Sequence, residues 1–406
     1  MLNVDDALRK LGDLTSPVLD TEVIPLTESK GRVVASAIDA PMDLPPFDAS
    51  AMDGYALHAN DLNQDRELAV VGESRAGHVY QDPLAPGTAI RIFTGAPIPR
   101  GTSAVVIQED VERNGDQISF RASLEIGENI RSRGHDIAKT QLLAKAGDRL
   151  DAYKISWLAA CGVTNVTAVR RIRVALFSTG DELIDPGTPL GPGQIYDANR
   201  TALRELVSER PVEVLDLGAL PDDPQAINRA LETAAEAADV VVTSGGVSVG
   251  DADYVRDVVA QAGSLDFWKI ALKPGKPLAV GRVGKALFFG LPGNPVSTII
   301  TYLLFVAPTI DRLCGMPDST PYRLPAILQE TIEHHQGRRE YVRGVFGMND
   351  DRVTVSPTGD QSSNRLATFA NANCLIVVPE QTDDIKAGSI VDIVLLPTDR
   401  SHIWTG

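Results

Sequence analysis

Cysteine is almost missing from this chain: Cys161, Cys314 and Cys374 are the only three among 406 residues, too far apart for any CxxC pair. A disulfide framework is therefore excluded, and reduced, mostly buried thiols of a cytoplasmic protein are expected. Basic charge is also short. Thirty-eight Lys and Arg face 54 Asp and Glu, for a net charge of −16, against the clustered cations of a nucleic-acid binder. Any polyanion must be received by a local pocket of lysines or backbone N–H groups. Long apolar runs are lacking too. Val296 to Val306 is too short for a bilayer and carries Thr298, Thr301 and Tyr302. Met1 to Leu14 is charged and amphipathic, unlike a signal peptide, so a soluble protein with no membrane partner is expected.

Familiar catalytic signatures are absent as well. The six histidines are scattered, and no Ser-His-Asp or Cys-His arrangement can be assembled. His334-His335, beside Arg338 and Arg339, reads as solvated surface without further metal ligands. No G-x-x-x-x-G-K-[ST] and no strand-borne G-x-G-x-x-G occur, which argues against a conventional NTPase and a dinucleotide site.

What is present is punctuation: 34 glycines and 26 prolines favour many tight turns. The length predicts two to four domains. Val4, Leu8 and Leu11 have helical spacing. From Arg32 to about Asp148 short β-type runs follow, among them Glu67 to Val71, Thr88 to Phe93 and Ser103 to Ile107. Tyr153 to Ala160 reads as a helical bridge. Residues 172 to 313 alternate strand and helix, which predicts a parallel sheet covered on both faces, with ligands at the strand C-termini. After Tyr322 five short strands predict a C-terminal barrel or sandwich.

The chemistry gathers in loops. Thr243-Ser-Gly-Gly-Val-Ser-Val-Gly-Asp-Ala-Asp253 opens from a buried strand through Gly245 and Gly246 toward a helix, offering bare N–H groups to an anion. Asp251 and Asp253 add hard oxygens suited to Mg²⁺ bridging to phosphate. Lys269, Lys273 and Lys276 surround a Pro-Gly turn as point charges for phosphate. Asp181, Glu182, Asp222 and Asp223 lie on the same predicted edge, Asp223 most simply as an N-cap and Asp251 equally a cap. The β-rich half supplies Pro45 to Ala56 with Asp48 and Asp53, Phe93 to Pro99 with Thr94, and Asn129 to Asp136. For Asp48 an ordinary turn is preferred; for Asp53 and Asp136, turn and site readings stand level.

Seven segments in this order, Pro45–Tyr55, Phe93–Pro99, Arg131–Asp136, Ser178–Leu183, Thr243–Tyr254, Lys273–Pro277 and Leu291–Pro295, resemble the molybdopterin molybdenumtransferase family, to which the C-terminal part of gephyrin is related. The likeness is strong over about residues 1 to 320 and looser in the barrel. It implies a multidomain α/β plus β fold: a discontinuous, doubly wound α/β domain (1–20 and 172–321), a linking domain (21–40 and 141–171), a β-rich insertion lobe (41–140) and a C-terminal β-barrel (322–406). It also implies a homodimer with its active site between subunits. The reaction implied is Mg²⁺-dependent insertion of molybdate into adenylylated molybdopterin with release of AMP, and the adenylyltransferase becomes a prospective partner.

Carried over by motif, Asp53, Thr94, Asp136, Glu182, Asp222 and Asp253 match the family's polar active-site positions. Gly245, Gly246, Ser248, Lys269, Lys273, Lys276, Pro292 and Pro295 match ligand-contacting loops, with Arg343 and Ser362 as weaker matches in the barrel. Glu182 and Asp253 are the first choice for Mg²⁺, although the assignment among the acids stays open. Two departures stand out: His135 replaces an acid commonly found before the Asp136 position, and Ala198 stands where the family often has Ser. Molybdopterin adenylylation and a non-catalytic scaffold remain as alternative readings.

Overall fold

The computed structural model describes the chain apart from residues 64–65, 122, 247–253, 318–322, 350 and 397–406. The chain opens with helix α1 (Val4–Leu14), capped by Asn3, whose side chain accepts from the Asp6 amide. Val4, Ala7 and Leu11 fall on one face of α1 and are buried. The chain divides into two compact units, one of residues 23–30 and 36–167, the other of residues 1–22, 31–35 and 168–406.

The first unit is built on a six-stranded sheet. Besides the short strand β1 (Ala49–Ser50), its strands are β2 (Gly54–His58), β3 (Leu68–Ser74), β4 (Thr88–Ile92), β5 (Thr102–Ile107), β6 (Val111–Asn114) and β7 (Gln117–Phe120). The sheet order is β5-β2-β4-β3-β7-β6, antiparallel except for the β3–β4 pair. Alternation divides its side chains between two small cores, Tyr55 and Leu57 on one face and Ala56, Ile90 and Ile92 on the other. Strand β8 (Ile130–Arg131) pairs with β1, and helix α2 (Ala152–Ala160) is capped by Asp151.

The second unit carries the expected strand–helix alternation. Its elements are β9 (Ile172–Thr179), α3 (Ala198–Ser208), β10 (Val212–Leu220), α4 (Pro224–Ala237), β11 (Val240–Ser244), α5 (Tyr254–Ala262), β12 (Gly263–Lys269), β13 (Leu272–Lys273), β14 (Pro277–Val283) and β15 (Ala286–Leu291). The sheet order is β10-β9-β11-β15-β14-β12. Strands β10, β9, β11 and β15 are parallel. β14 runs against β15, because Gly284 and Lys285 close a two-residue hairpin with Val283 opposite Ala286. The sheet is therefore parallel through four strands and completed by two antiparallel pairings at one side, β15–β14 and β14–β12.

Every residue of β11 and β15 is buried, as continuous apolar strands covered on both faces require. Val240, Val242 and Phe289 join a core with α1 and α3, whereas Val241 and Phe288 join a second core with α4 and α5. The helix after β15, α6 (Pro295–Leu313), packs into the first of these and includes a π turn over Tyr302–Val306. This helix is long and apolar enough to cross a membrane, yet 83% of its apolar window is buried inside the fold.

Strands β16 (Arg323–Leu328), β17 (Arg339–Asn349), β18 (Arg352–Pro357), β19 (Cys374–Val378) and β20 (Ile390–Leu395) close on themselves in the order β17-β18-β16-β20-β19-β17. This is the C-terminal barrel. It is joined to the α/β part by β13, whose Leu272 and Lys273 pair in parallel with Arg339 and Glu340 of β17. Arg339 adds a bidentate bond to Asp5 of α1, both contacts 2.7 Å, and another to Glu380.

Candidate active site

In the β-rich unit three sequence-distant loops become one patch. β1 pairs with β8, setting Ser50 opposite Ile130, while the Gly95 amide donates to the Ser50 carbonyl and the Ser50 amide donates to the Ala96 carbonyl. Asp48 ties the loops further: its carboxylate accepts from the Arg133 amide at 2.7 Å. The preferred turn reading of Asp48 thus becomes a long-range loop tie. At this patch Asp53 Oδ1 accepts from both the Thr94 amide, at 2.7 Å, and the Thr94 hydroxyl, at 3.0 Å. The Thr94 amide, then its hydroxyl, and the nearby Arg91 guanidinium hold the Asp53 carboxyl below the usual carboxylate range. Arg91 itself is fixed, donating to the Gly54 carbonyl and lying over the rings of Phe93 and Tyr55. Asp136 is exposed, and its amide donates to the Leu44 carbonyl at 2.9 Å.

In the other unit the loops meet at the C-terminal edge of the sheet. Gly245 and Gly246 follow β11 with φ of +93° and +66°, backbone that only glycine adopts without strain. A Cβ on Gly245 would come within 2.6 Å of the Thr179 carbonyl, and one on Gly246 within 2.9 Å of the Thr179 hydroxyl. That hydroxyl is buried and has no hydrogen-bond partner among the described residues. The turn is fixed from beside it: the Gly245 amide donates to the Leu291 carbonyl, and Asn199 Nδ2 donates to both Ser244 Oγ, at 2.8 Å, and the Gly293 carbonyl, at 2.7 Å. Asn199 was not singled out from sequence, although the Asp197 cap two residues earlier marks the helix start that aims it. Asp197 also accepts from the Ser178 hydroxyl and from Arg200.

The acids of this edge take distinct roles. Asp223 caps α4 by accepting from the Ala226 amide, as expected. The Asp222 amide donates to Asp181 at 3.2 Å, joining the β9 and β10 loops. Glu182 is exposed, with its carboxylate folded over Gly180. Lys269 ends β12 and Lys276 precedes β14, both exposed on this same edge, because Lys269 registers with Pro277. Lys273 lies on β13 and its ammonium reaches Glu340 Oε1 at 3.0 Å. Pro292 is buried, its carbonyl accepting from the Thr298 hydroxyl at 2.5 Å, and Pro295 is the first residue of α6.

Two barrel expectations change. Arg343 is fully buried, so it cannot meet a ligand directly. Its guanidinium donates to the carbonyls of Asp360, Gln361 and Ser362 and to the Thr368 hydroxyl. It holds the loop that carries Ser362. Ser362 donates to Asp360, and the next residue's carbonyl accepts from the Val296 amide, which fastens that loop to the start of α6. His334, read as solvated surface, is 3% exposed; its ring nitrogens face the Thr382 carbonyl at 2.8 Å and the Arg338 carbonyl at 3.0 Å. Polar neighbours disguised a buried position in the loop between β16 and β17. His335 is exposed.

Ser248, Asp251 and Asp253 lie outside the described residues. Among the described residues no group of three or more His, Cys, Asp or Glu could hold a metal ion. Glu182 supplies one hard carboxylate at the edge, and Mg²⁺ commonly uses one or two carboxylates with phosphate oxygens. The donor set fits that mode and no all-protein cage.

Three family models cover most of the chain: MoeA N-terminal region (domain I and II) over residues 2–162, probable molybdopterin binding domain over 175–312, and MoeA C-terminal region (domain IV) over 325–396. The chain is 40% identical over 396 residues to a molybdopterin molybdenumtransferase of Haemophilus influenzae, covering 97% of this chain and 98% of the relative. It is 37% identical to one from a Nostoc species, covering 93% and 89%. The crystal structure of the molybdopterin biosynthesis moeA protein from Pyrococcus horikoshii OT3 superposes with a TM-score of 0.84 at 31% identity, covering 98% of this chain and all of that one.

Proposed function

The chain belongs to the molybdopterin molybdenumtransferase family, and we propose that it inserts molybdenum from molybdate into molybdopterin during molybdenum-cofactor synthesis. The finer reading is that the pterin arrives adenylylated and AMP leaves as the metal enters. What supports it is the sheet edge: Lys269 and Lys276 stand at the same C-terminal edge as the Gly245–Gly246 turn, as a pyrophosphate flanked by two large organic groups requires.

In this reading the ammonium groups of Lys269, Lys273 and Lys276 bind and orient the diphosphate. Gly245 and Gly246 let backbone approach it without a Cβ in the way. Glu182 and Asp253 would hold Mg²⁺, which when bound neutralises charge on the phosphates. Asp53 presents a carboxylate whose direction Thr94 fixes; Asp136 and Asp222 supply further acids. Ser362 and Pro295 border the α6 side of the edge. The protein would work as a cytoplasmic homodimer, with the molybdopterin adenylyltransferase as the source of its substrate.

The test is an assay of AMP release and pterin-bound metal with adenylylated molybdopterin, Mg²⁺ and either molybdate or tungstate. Oxyanion-dependent release accompanied by bound metal is expected. Transfer of AMP from ATP to unmodified molybdopterin would favour the adenylylation reading instead, and no turnover under either condition would favour a scaffold.

A further inference from the structure

Glu340 occupies an unusual position between two cations. It is 4% exposed on β17, directly across from Lys273 of β13 in the parallel register. Oε1 accepts from the Lys273 ammonium at 3.0 Å. Oε2 is buried with no hydrogen-bond partner among the described residues, and 3.9 Å away stands His334 Nε2. A buried carboxylate oxygen without a donor is costly unless a nearby charge compensates it.

His334 can supply that charge. Backbone carbonyls only accept, and its two ring nitrogens face one each, at 2.8 and 3.0 Å. Both contacts are satisfied only when both nitrogens carry protons, which makes the ring a cation. The other charged groups nearby are already engaged. Asp384 accepts from the His334 amide, Arg339 pairs with Asp5 and Glu380, and the Arg343 guanidinium, whose charge also acts on Glu340, donates to carbonyls and the Thr368 hydroxyl. The order is then imidazolium, carboxylate, ammonium, running from the buried loop before β17, through β17, to β13. The outer member is also the most exposed, with 44% of the Lys273 side chain accessible.

We propose that Glu340, braced by a doubly protonated His334 of the loop before β17, is the positioning residue that holds the Lys273 ammonium toward the diphosphate. This rests on the reading of Lys273 as a substrate-binding lysine. Restraint matters here because a free lysine stem samples many rotamers, and fixing it beforehand removes that ordering cost from binding.

The experiment is competitive lysine acylation with trace acetic anhydride, read by mass spectrometry, beside steady-state assays of AMP release. In Glu340→Gln, loss of the negative partner frees the Lys273 amine from its ion pair, so its labelling should rise at least about threefold. KM for the adenylylated pterin should rise about tenfold while kcat moves little, because uniform binding is what is lost. Glu340→Asp, which keeps the charge, should restore most of both; if Glu340→Gln fails to fold, Glu340→Asp against native protein carries the labelling test, with a smaller rise expected. Unchanged Lys273 labelling in a folded variant overturns the proposal. Raised labelling with a native KM in Lys273→Met would instead show that Lys273 does not meet substrate, which removes the substrate role while leaving the ion pair standing.

Discussion

Thr94 donates twice to one oxygen of Asp53, through its amide at 2.7 Å and its hydroxyl at 3.0 Å, joining loops 41 residues apart. A carboxylate so held keeps one oxygen engaged and presents the other in a fixed direction. It also stays ionised further into acid than an ordinary aspartate.

Thr94→Val keeps the amide donor and removes the hydroxyl. Losing one hydrogen bond to a charged acceptor should lower kcat/KM for AMP release, by about tenfold at most. The acid limb of the pH–rate profile should move upward, because Asp53 then protonates nearer the usual carboxylate range. An unmoved acid limb would separate Asp53 from the rate-determining charge.

Gly245→Ala tests the backbone approach. An alanine there must hold a φ of +93° and meet the Thr179 carbonyl at 2.6 Å, a strain of roughly 1–3 kcal/mol. Urea unfolding should show that loss, and affinity for the adenylylated pterin should fall further than stability does. Native affinity would mean that the turn does not touch the ligand.

Arg343→Lys should destabilise the barrel loop although the charge is kept. A single ammonium cannot replace a planar fork that reaches three carbonyls and a hydroxyl, and each lost part-buried hydrogen bond costs about 1 kcal/mol. Hydrogen exchange should report faster opening of residues 360–363. Protection equal to the native protein would contradict the role assigned to Arg343.

Asp5 carries a pH dependence of stability. The Arg339 hydrogen bonds hold its carboxyl below the ordinary value of 3.8. Its contribution is therefore complete above that value and is lost as pH falls through the lower folded-state value. Because the Asp5 side chain is 60% exposed, solvent screening limits the contribution to about 1 kcal/mol or less. Asp5→Asn should lower the unfolding midpoint at pH 7, with a deficit that shrinks as pH falls below 3.8; a deficit that does not change with pH would exclude the ionic origin.

Much of this arrangement was legible in the chain itself. The Val4–Leu14 helix follows from its apolar spacing, and the alternation after residue 172 follows from β-branched runs broken by Gly and Asp caps. The strands beside the lysine turn were harder to see. Gly263–Lys269 mixes polar with apolar residues at a sheet edge, and Pro277–Val283 begins with a proline tolerated only at a strand's first position. Arg343 and His334 look like surface residues by type, and only the folded chain reveals that both are buried with their polar atoms facing loop carbonyls. Motif order pointed to Asp53 and Thr94, whereas Glu340 has no local signal because its partner lies 67 positions away in sequence and is set by strand register.

The most direct measurement of the account is single-turnover AMP release with molybdate and Mg²⁺ in native protein, Asp53→Asn and Lys269→Met, side by side. Native protein should release AMP only with molybdate, Asp53→Asn should bind the adenylylated pterin but turn over at least about a hundredfold more slowly, and Lys269→Met should bind it weakly. Full turnover in both variants would contradict the claim that acids of the β-rich unit and lysines of the sheet edge serve one reaction.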